Sequence, residues 1–198
     1  TPLKRPESPY GNTKKIGEEI IKDIVQATAK KAVALRYFNP VGAHNSATIG
    51  EVPNGIPNNL IPYVTQTAMG IRESLGVFGD DYETRDGTAV RDYIDVNDLA
   101  DAHVKAMQRL LEGKNKSNLE FFNLGSGTGS TVLEIVSAFE QANNLKINYQ
   151  IKPRRAGDIE QAYADYTLAK TELGWEPKTP LQTSMQTAWK FQQQLNNQ

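Results

Sequence analysis

The sequence predicts an α/β protein built on a mostly parallel sheet, because strand-like and helix-like segments alternate along its 198 residues. Residues 32–38 form a mostly apolar run, which is typical of a parallel strand buried on both faces. Residues 9–30 and 98–112 carry apolar side chains at helical spacing. With 38% hydrophobic residues, the chain can bury a core the size of one domain or of part of a larger one.

The first helix begins at a strong start signal. Ser8 is a preferred N-cap residue, and Pro9 suits the first helical position, where its missing N–H costs nothing. Tyr10 and Lys14 then lie four residues apart, so both side chains project from one helix face. A nearby ammonium group and the positive end of the helix dipole favour a phenolate, which can exchange a proton with a substrate hydroxyl. A lone Tyr-x-x-x-Lys also occurs as a solvated surface pair, so the catalytic interpretation needs a second observation.

The other elements follow in order after the strand at 32–38. Residues 39–58 are rich in Gly, Pro and Asn and are expected to form a long functional loop. The further elements are predicted as a helix at 59–70, strands at 75–78 and 90–96, a helix at 98–112, a strand at 121–124, a helix at 131–143, short strands at 147–151 and 162–166, and two closing helices.

Composition excludes several classes of protein. The 22 Lys and Arg residues nearly balance the 23 Asp and Glu residues and are mixed along the chain, so we expect no nucleic-acid partner. The absence of cysteine excludes disulfides and thiolate chemistry and is compatible with a cytoplasmic protein. No apolar run or signal peptide indicates a membrane partner. Because Thr1 is not a natural start, we expect a fragment or a cleaved product.

A glycine-rich segment at 125–130 lies between a predicted strand and a predicted helix. A dinucleotide fingerprint needs glycine at its first, third and sixth positions, but the sixth here is Ser130. Thr131 and Glu134 instead have the spacing of a capping box for the next helix. We therefore expect any dinucleotide fingerprint to lie upstream of Thr1.

Polar residues suited to a nucleotide diphosphate are scattered along the chain. Arg91, Arg154 and Arg155 carry guanidinium groups that bind phosphate oxygens bidentately. Asp158 can accept hydrogen bonds from ribose hydroxyls, and Phe78 and Tyr93 can cover a uracil face.

Three asparagines add groups suited to a sugar, but plainer interpretations remain open. The amides of Asn39, Asn58 and Asn59 both donate and accept, which suits sugar hydroxyls. Asn59 also stands at a predicted helix start, where it can simply cap the helix. Arg91 can equally pair with Asp92 or Asp95.

A resemblance to a known family rests on five blocks of sequence, residues 37–44, 55–63, 77–82, 86–94 and 153–158. Together they resemble the UDP-glucose 4-epimerase family, a branch of the extended short-chain dehydrogenases/reductases. The resemblance covers essentially the whole chain and is far more specific than the pair of Tyr10 and Lys14.

The resemblance implies a fold in two parts. Residues 1–38 and about 91–110 are expected to be the second part of a Rossmann-type doubly wound parallel sheet that binds NAD. Residues of about 39–90 and 111–198 are expected to form mainly the small α/β domain that binds the UDP-sugar. The resemblance also implies a homodimer, with the missing N-terminal half of the same protein as a further partner. Without that half, we expect the chain to be inactive and not to retain NAD.

The resemblance implies roles for individual residues. Tyr10 would take the proton of the sugar 4-hydroxyl while hydride passes from C4 to the nicotinamide, and Lys14 would hold the phenolate and the nicotinamide ribose. Phe38 would lie beside the nicotinamide, and no metal is expected. The positions expected to bind the UDP-hexose are Asn39, Asn59, Leu60, Gly76, Val77, Phe78, Arg91, Tyr93, Val132, Arg155, Asp158 and Ala162.

Ala162 stands at the position that faces the 2-substituent of the sugar in the family. Relatives carry either a bulky aromatic or a small residue there, so the small side chain predicts that UDP-N-acetylhexosamines are also substrates. Asp95 departs from the family, which often has histidine at that place.

Two other functions stay open at this point. The chain can be a nucleotide-sugar-binding fragment without turnover. It can also belong to a related nucleotide-sugar dehydratase or decarboxylase, which shares the pair of Tyr10 and Lys14. The match through residues 37–94 favours the epimerase.

Overall fold

The computed structural model describes Pro6 and residues 8–196. Helices and strands alternate through most of this range, which confirms the predicted α/β class. The strands are β1 (Ala32–Tyr37), β2 (Asn39–Val41), β3 (Leu75–Phe78), β4 (Val90–Asp95), β5 (Leu119–Leu124), β6 (Gly129–Thr131), β7 (Tyr149–Lys152) and β8 (Gln161–Ala162). The helices are α1 (Pro9–Ala27), α2 (Leu60–Ala68), α3 (Val96–Leu111), α4 (Val132–Asn143), α5 (Thr167–Leu173) and α6 (Leu181–Asn196).

Most strand pairs are parallel, as the apolar run in β1 predicts. β1 pairs with β5, β2 with β4, β3 with β7, and β8 with β4, all in parallel. Only β6 runs antiparallel to its partner β4 among the described strands. β4 therefore meets three other strands, and its residues lie at the centre of the molecule.

Two apolar clusters pack on either side of β4. The first joins β3 to α2, α4 and α6 and contains the fully buried Phe139 and Met185. The second joins β5 to α3 and α5 around Trp175, whose indole N–H donates to the carbonyl of Asp98 at 2.9 Å. Neighbouring residues of a strand point to opposite faces, so Tyr93 enters the first cluster and Ile94 the second. β4 is thereby fixed by both cores.

The predicted start of α1 is confirmed. Ser8 is the N-cap and accepts a hydrogen bond from the N–H of Gly11 at 3.1 Å, and Pro9 is the first helical residue. The capping box of α4 is also present, because Thr131 accepts from the N–H of Glu134 while the Glu134 carboxylate accepts from the N–H of Thr131.

Several predicted bounds were wrong. α1 ends at Ala27 rather than at residue 30, and α3 begins at Val96 rather than at residue 98. The earlier start of α3 has a local cause: the carboxylate of Asp95 accepts from the N–H of Asn97 at 2.8 Å and so caps the helix. The last predicted strand, 162–166, is only the two-residue β8.

Two short strands lie where the sequence predicted loops. β2 occupies the start of the predicted loop at 39–58, and β6 occupies the end of the glycine-rich segment. Both pair with β4, so a partner distant in sequence imposes their extended form. β5 lies in the part assigned to sugar binding but pairs with β1 of the part assigned to NAD binding. The boundary near residue 110 stays a prediction.

Between residues 8 and 196, no helix is both long enough and apolar enough to span a membrane.

Candidate active site

A cavity of about 520 Å³ opens between α2, β3, β4 and the loop that follows β7. Ten of the twelve residues predicted to bind the substrate line it, and only Val77 and Ala162 do not. The lining residues are Asn39, Ile56, Pro57, Asn58, Asn59, Leu60, Tyr63, Leu75, Gly76, Phe78, Ala89, Arg91, Tyr93, Val132, Lys152, Arg155 and Asp158. The fold thus brings together residues that lie up to 119 positions apart in sequence, from Asn39 to Asp158.

Arg91 and Asp158 form an ion pair at this cavity, with Nη2 of Arg91 3.3 Å from Oδ1 of Asp158. The same guanidinium donates from Nη1 to the carbonyl of Val90 at 2.8 Å. The alternative partners considered from sequence, Asp92 and Asp95, are wrong because both carboxylates are engaged elsewhere. Asp95 caps α3.

Asp92 is fully buried and holds the glycine-rich segment in place. Its carboxylate accepts from the backbone N–H of Ser126 at 2.7 Å, of Gly127 at 3.0 Å and of Ala164 at 3.0 Å. A side chain on Gly125 would meet this carboxylate, with a Cβ only 2.4 Å from Oδ2. The glycines of this segment therefore allow a close approach of backbone to Asp92, which fits the structural interpretation made from sequence.

Aromatic rings and cations form one wall of the cavity. The guanidinium of Arg155 lies 3.7 Å from the centre of the Phe78 ring. Tyr93 is 8% exposed, and burial raises the pKa of its phenol well above the usual range. Tyr93 therefore stays neutral at physiological pH and is an uncharged part of the cavity lining.

The free edge of β3 supplies main-chain groups. The N–H of Leu75 donates to the carbonyl of Asn148 at 2.9 Å, and the N–H of Gly79 donates to the carbonyl of Lys152 at 2.7 Å. Because main-chain groups alternate in direction along a strand, those of Gly76 and Phe78 point away from β7. Among the described strands, none pairs with β3 on that side. Both residues line the cavity, so the main-chain N–H and carbonyl groups of Gly76 and Phe78 are available to a ligand.

Asn59 occupies the N-cap position of α2 without making the side-chain capping bond that the plainer interpretation requires. Its amide instead donates to Oε1 of Glu51 at 2.7 Å. Asn59 and Leu60, at the start of α2, both line the cavity, and helix N-termini favour anionic groups.

Tyr10 and Lys14 lie on one face of α1, as predicted, with the Lys14 ammonium 5.0 Å from the centre of the Tyr10 ring. Tyr10 is 71% exposed and does not line the cavity. Phe38 is half-buried where β1 ends, and its N–H donates to the carbonyl of Leu124 at 3.1 Å. Phe38 directly precedes Asn39, which lines the cavity. The predicted cofactor residue and the first predicted substrate residue thus both follow β1.

Val77 and Ala162 are the two predicted substrate residues that the cavity lining does not include. The side chain of Val77 is fully buried in the first apolar cluster. Ala162 is half-buried and pairs with Arg91 in the parallel register of β8 and β4. Paired residues of parallel strands share a face, so Ala162 lies on the same side of the sheet as Arg91.

Sequence reasoning missed several residues of the cavity. Lys152 is the most consequential, because it adds a cation beside Phe78. Its place depends on the pairing of β3 with β7, which no local pattern announces. Ile56, Pro57 and Tyr63 lie within the noted block 55–63 and Ala89 within the block 86–94, and those blocks were the available signal. Leu75 was also missed and lies outside the blocks.

Comparisons with known proteins point in one direction. Residues 1–188 match the family model described as GDP-mannose 4,6 dehydratase. The UDP-glucose 4-epimerase of Erwinia amylovora is 50% identical over 197 residues, which are 98% of this chain and 57% of that protein. The UDP-glucose 4-epimerase of Bacillus subtilis (strain 168) is 52% identical over 186 residues, 93% of this chain and 54% of that protein. The chain thus spans a little more than half the length of these curated relatives.

Solved structures agree with the sequence relatives. The crystal structure of UDP-glucose 4-epimerase from Bifidobacterium longum, in complex with NAD+ and UDP, matches with a TM-score of 0.93 and 44% identity over 100% of this chain and 58% of that chain. The corresponding enzyme of Stenotrophomonas maltophila, with bound NAD and formylated UDP-arabinopyranose, matches with a TM-score of 0.91 and 45% identity over 96% of this chain and 56% of that chain. The resemblance drawn from the five sequence blocks is confirmed.

Proposed function

Because the chain belongs to the family described as GDP-mannose 4,6 dehydratase, a group of extended short-chain dehydrogenases/reductases, we propose that it carries the sugar-nucleotide site and the Tyr/Lys pair of an enzyme that interconverts UDP-glucose and UDP-galactose. The observation that carries the proposal is the assembly of ten predicted substrate residues around one cavity. The relatives that are 50% and 52% identical to this chain are both named UDP-glucose 4-epimerase, which supports this reaction over the other reactions of the family.

The nucleotide part of the substrate fits one side of the cavity. Uracil has a donor flanked by two carbonyl acceptors along one edge, and the free main-chain groups of Gly76 and Phe78 can pair with such an edge. Tyr93 supplies an apolar neighbour for the base because its phenol is neutral. Arg155 supplies positive charge for the diphosphate, and the N–H groups at the start of α2 add a favourable field.

The sugar part needs groups that both donate and accept. Asn39 follows β1, and Asn59 precedes α2, so their amides border the cavity from two elements. Amides suit both hydroxyl configurations at C4, because each can donate to or accept from a hydroxyl. A pocket of this kind tolerates the 4-keto sugar in either orientation. The reaction requires this, because the keto sugar must rotate in the pocket between oxidation and reduction.

Proton transfer is assigned to Tyr10. As a phenolate it would accept the proton of the 4-hydroxyl during oxidation and would return it during reduction. Lys14 lies on the same helix face, with its ammonium 5.0 Å from the centre of the Tyr10 ring, and we assign it to hold the phenolate and the nicotinamide ribose. Tyr10 is 71% exposed, and we assign Tyr10, Lys14 and Phe38 to contact the nicotinamide nucleoside.

NAD, when bound, accepts hydride from C4 of the sugar and returns it to the other face. The 198 residues contain no complete glycine fingerprint for its phosphates. We therefore assign phosphate binding to a segment outside these residues, and we propose that turnover requires that segment.

A homodimer is part of the proposal. α1 exposes Ile16, Ile20 and Ile24, which are 45%, 54% and 46% exposed and recur every four residues on one helix face. A self-complementary apolar helix face suits a two-fold interface between identical chains. Together with the absence of cysteine, the family membership supports a cytoplasmic setting for the reaction.

The test is an assay of the chain together with the NAD-binding segment, with UDP-galactose and NAD as reactants, followed by separation and mass measurement of the sugar nucleotides. Formation of UDP-glucose, an isomer of unchanged mass, supports the proposal. Loss of one water or of carbon dioxide from the nucleotide sugar would identify a dehydratase or a decarboxylase instead. Tight binding of UDP-galactose without any product, even in the presence of the NAD-binding segment, would leave the binding fragment as the function.

A further inference from the structure

Lys152 lies over the bare backbone of Gly76. It is the last residue of β7 and pairs with Phe78 of β3. A Cβ atom on Gly76 would lie 3.1 Å from both Cδ and Cε of Lys152 and 3.4 Å from its Nζ. The side chain of Lys152 therefore crosses the place that any other residue at position 76 would fill. Its ammonium group thus lies beside Gly76, and both residues line the cavity.

The charge of Lys152 is not neutralised by the protein. Its ammonium makes no ion pair and no hydrogen bond with any residue in the described part of the chain, whereas Lys146 and Lys170 each pair with a glutamate at 2.7 and 2.5 Å. Asp158, the carboxylate among the lining residues of the cavity, is engaged by Arg91. Lys152 thus adds an uncompensated donor group to the cavity, 6.0 Å from the centre of the Phe78 ring.

We propose that Lys152 selects the base of the nucleotide by donating a hydrogen bond to a carbonyl oxygen of uracil. This inference rests on the proposed function and deepens it. A lysine ammonium has three donors and no acceptor, so it accepts a carbonyl partner and cannot pair with an amino group. Uracil presents a carbonyl oxygen at C4 where cytosine presents an amino group, as thymine and cytosine do in DNA.

The position of Lys152 favours the base over the diphosphate. Its stem lies along β3 next to Gly76 and Phe78, whose free main-chain groups are suited to the edge of a base. From C2 to C4, the edge of uracil presents an acceptor, a donor and an acceptor, whereas that of cytosine presents two acceptors and a donor. A lysine donor beside C4 therefore favours uracil, since cytosine would present a donor to a donor.

The experiment measures dissociation constants of UDP, CDP and uridine by calorimetry on the full chain. The variants are Lys152→Met, which keeps length and apolar stem, Lys152→Arg, and Gly76→Ala, which places a methyl group against the lysine stem. Lys146→Met is the matched control, because it removes an equal charge from a side chain that is 88% exposed and does not line the cavity.

We expect the unaltered chain to bind UDP at least ~10-fold more tightly than CDP, the scale of one hydrogen bond to a charged group. Lys152→Met should weaken UDP and uridine by about 10-fold and leave CDP unchanged, so that the preference disappears. Gly76→Ala should move in the same direction, Lys152→Arg should retain most of the preference, and Lys146→Met should change nothing.

Two results would overturn the inference while the proposed function stands. In one, Lys152→Met keeps the preference for UDP over CDP. In the other, it weakens UDP and CDP equally and spares uridine, which would assign the ammonium to the diphosphate. Failure of the unaltered chain to bind either nucleotide would contradict the proposed function, and this inference with it. Thermal unfolding of each variant excludes loss of the fold as the cause.

Discussion

The guanidinium of Arg91 on β4 and the carboxylate of Asp158 in the loop after β7 form an ion pair, with Nη2 3.3 Å from Oδ1, and their side chains are 19% and 31% exposed. The pair fixes that loop to the centre of the sheet. It also neutralises one of the two guanidinium groups that line the cavity. Arg155 is then the guanidinium whose charge is left for the diphosphate, because within residues 8–196 it pairs with no carboxylate.

Arg155→Met should therefore weaken binding of UDP by at least ~10-fold, since a charged hydrogen bond contributes about 1.5–3 kcal/mol. Calorimetry at two salt concentrations is the measurement, and the variant should show the weaker salt dependence. The neighbouring Arg154 is the control, because it pairs with Asp81 at 2.6 Å and does not line the cavity. Equal effects of Arg154→Met and Arg155→Met would contradict the assignment.

Tyr10→Phe should lower turnover at least ~10²-fold in the complete enzyme, because it removes a positioned acid/base group. Binding of UDP should be unchanged, since Tyr10 does not line the cavity. The measurement is the rate of conversion of UDP-galactose to UDP-glucose beside the dissociation constant of UDP. Tyr149→Phe, on a 42% exposed tyrosine of β7, is the control. Near-normal turnover of Tyr10→Phe would show that the pair with Lys14 is structural.

Local signals in the sequence were enough for some parts of the fold. Ser8 and Pro9 predicted the start of α1, and Thr131 with Glu134 predicted the start of α4, because helix capping depends on residues within one turn. The same locality placed Tyr10 and Lys14 on one face of α1.

Other parts depend on contacts between distant segments, which a single sequence does not display. The three residues of β6 include Gly129 and are extended because they pair with β4. The ion pair of Arg91 with Asp158 spans 67 positions, and the nearer Asp92 and Asp95 were equally plausible partners from sequence alone. Lys152 was not predicted as a site residue, because its position beside Gly76 depends on the pairing of β3 with β7, which are distant in sequence.

A buried charge cluster joins α3, β5 and α5. Arg109 is 6% exposed and donates to both carboxylate oxygens of Glu120, at 2.7 and 2.9 Å, and to Glu172 at 3.2 Å. Arg109→Met should lower the free energy of unfolding by roughly 2–4 kcal/mol, because it leaves the largely buried carboxylate of Glu120 without its cationic partner. Urea unfolding measures this, with Arg85→Met, on a 58% exposed guanidinium, as the surface control. A change below that of Arg85→Met would contradict the structural role.

The same cluster predicts how stability depends on pH. The hydrogen bond from Arg109 holds the pKa of Glu120 below its ordinary value of 4.5. A carboxylate whose pKa is lowered by folding adds stability above the pKa of the unfolded chain, and that stability is lost as the pH falls through the folded value. The difference in free energy of unfolding between the unaltered chain and Glu120→Gln should therefore be largest near pH 7 and shrink below about pH 4.5. A difference that is constant with pH would assign it to packing alone.

The position of Ala162 bears on which sugars the enzyme accepts. Ala162 pairs with Arg91 in β8, so its methyl group lies on the face of the sheet that Arg91 occupies, whereas Tyr163 points to the opposite face and is 56% exposed. This register supports the small residue, not the tyrosine, as the neighbour of the sugar 2-substituent. The complete enzyme should therefore interconvert UDP-GlcNAc and UDP-GalNAc as well as the plain hexoses.

Ala162→Tyr should abolish activity on the N-acetylated pair and spare UDP-galactose, because steric exclusion acts only on the larger substrate. Tyr163→Ala is the matched control and should leave the ratio of the two kcat/KM values unchanged, since its side chain lies on the other face. Equal loss of both activities in Ala162→Tyr would indicate damage to β8 rather than exclusion. Normal activity on UDP-galactose with none on UDP-GalNAc in the unaltered enzyme would show that another residue limits the space at C2.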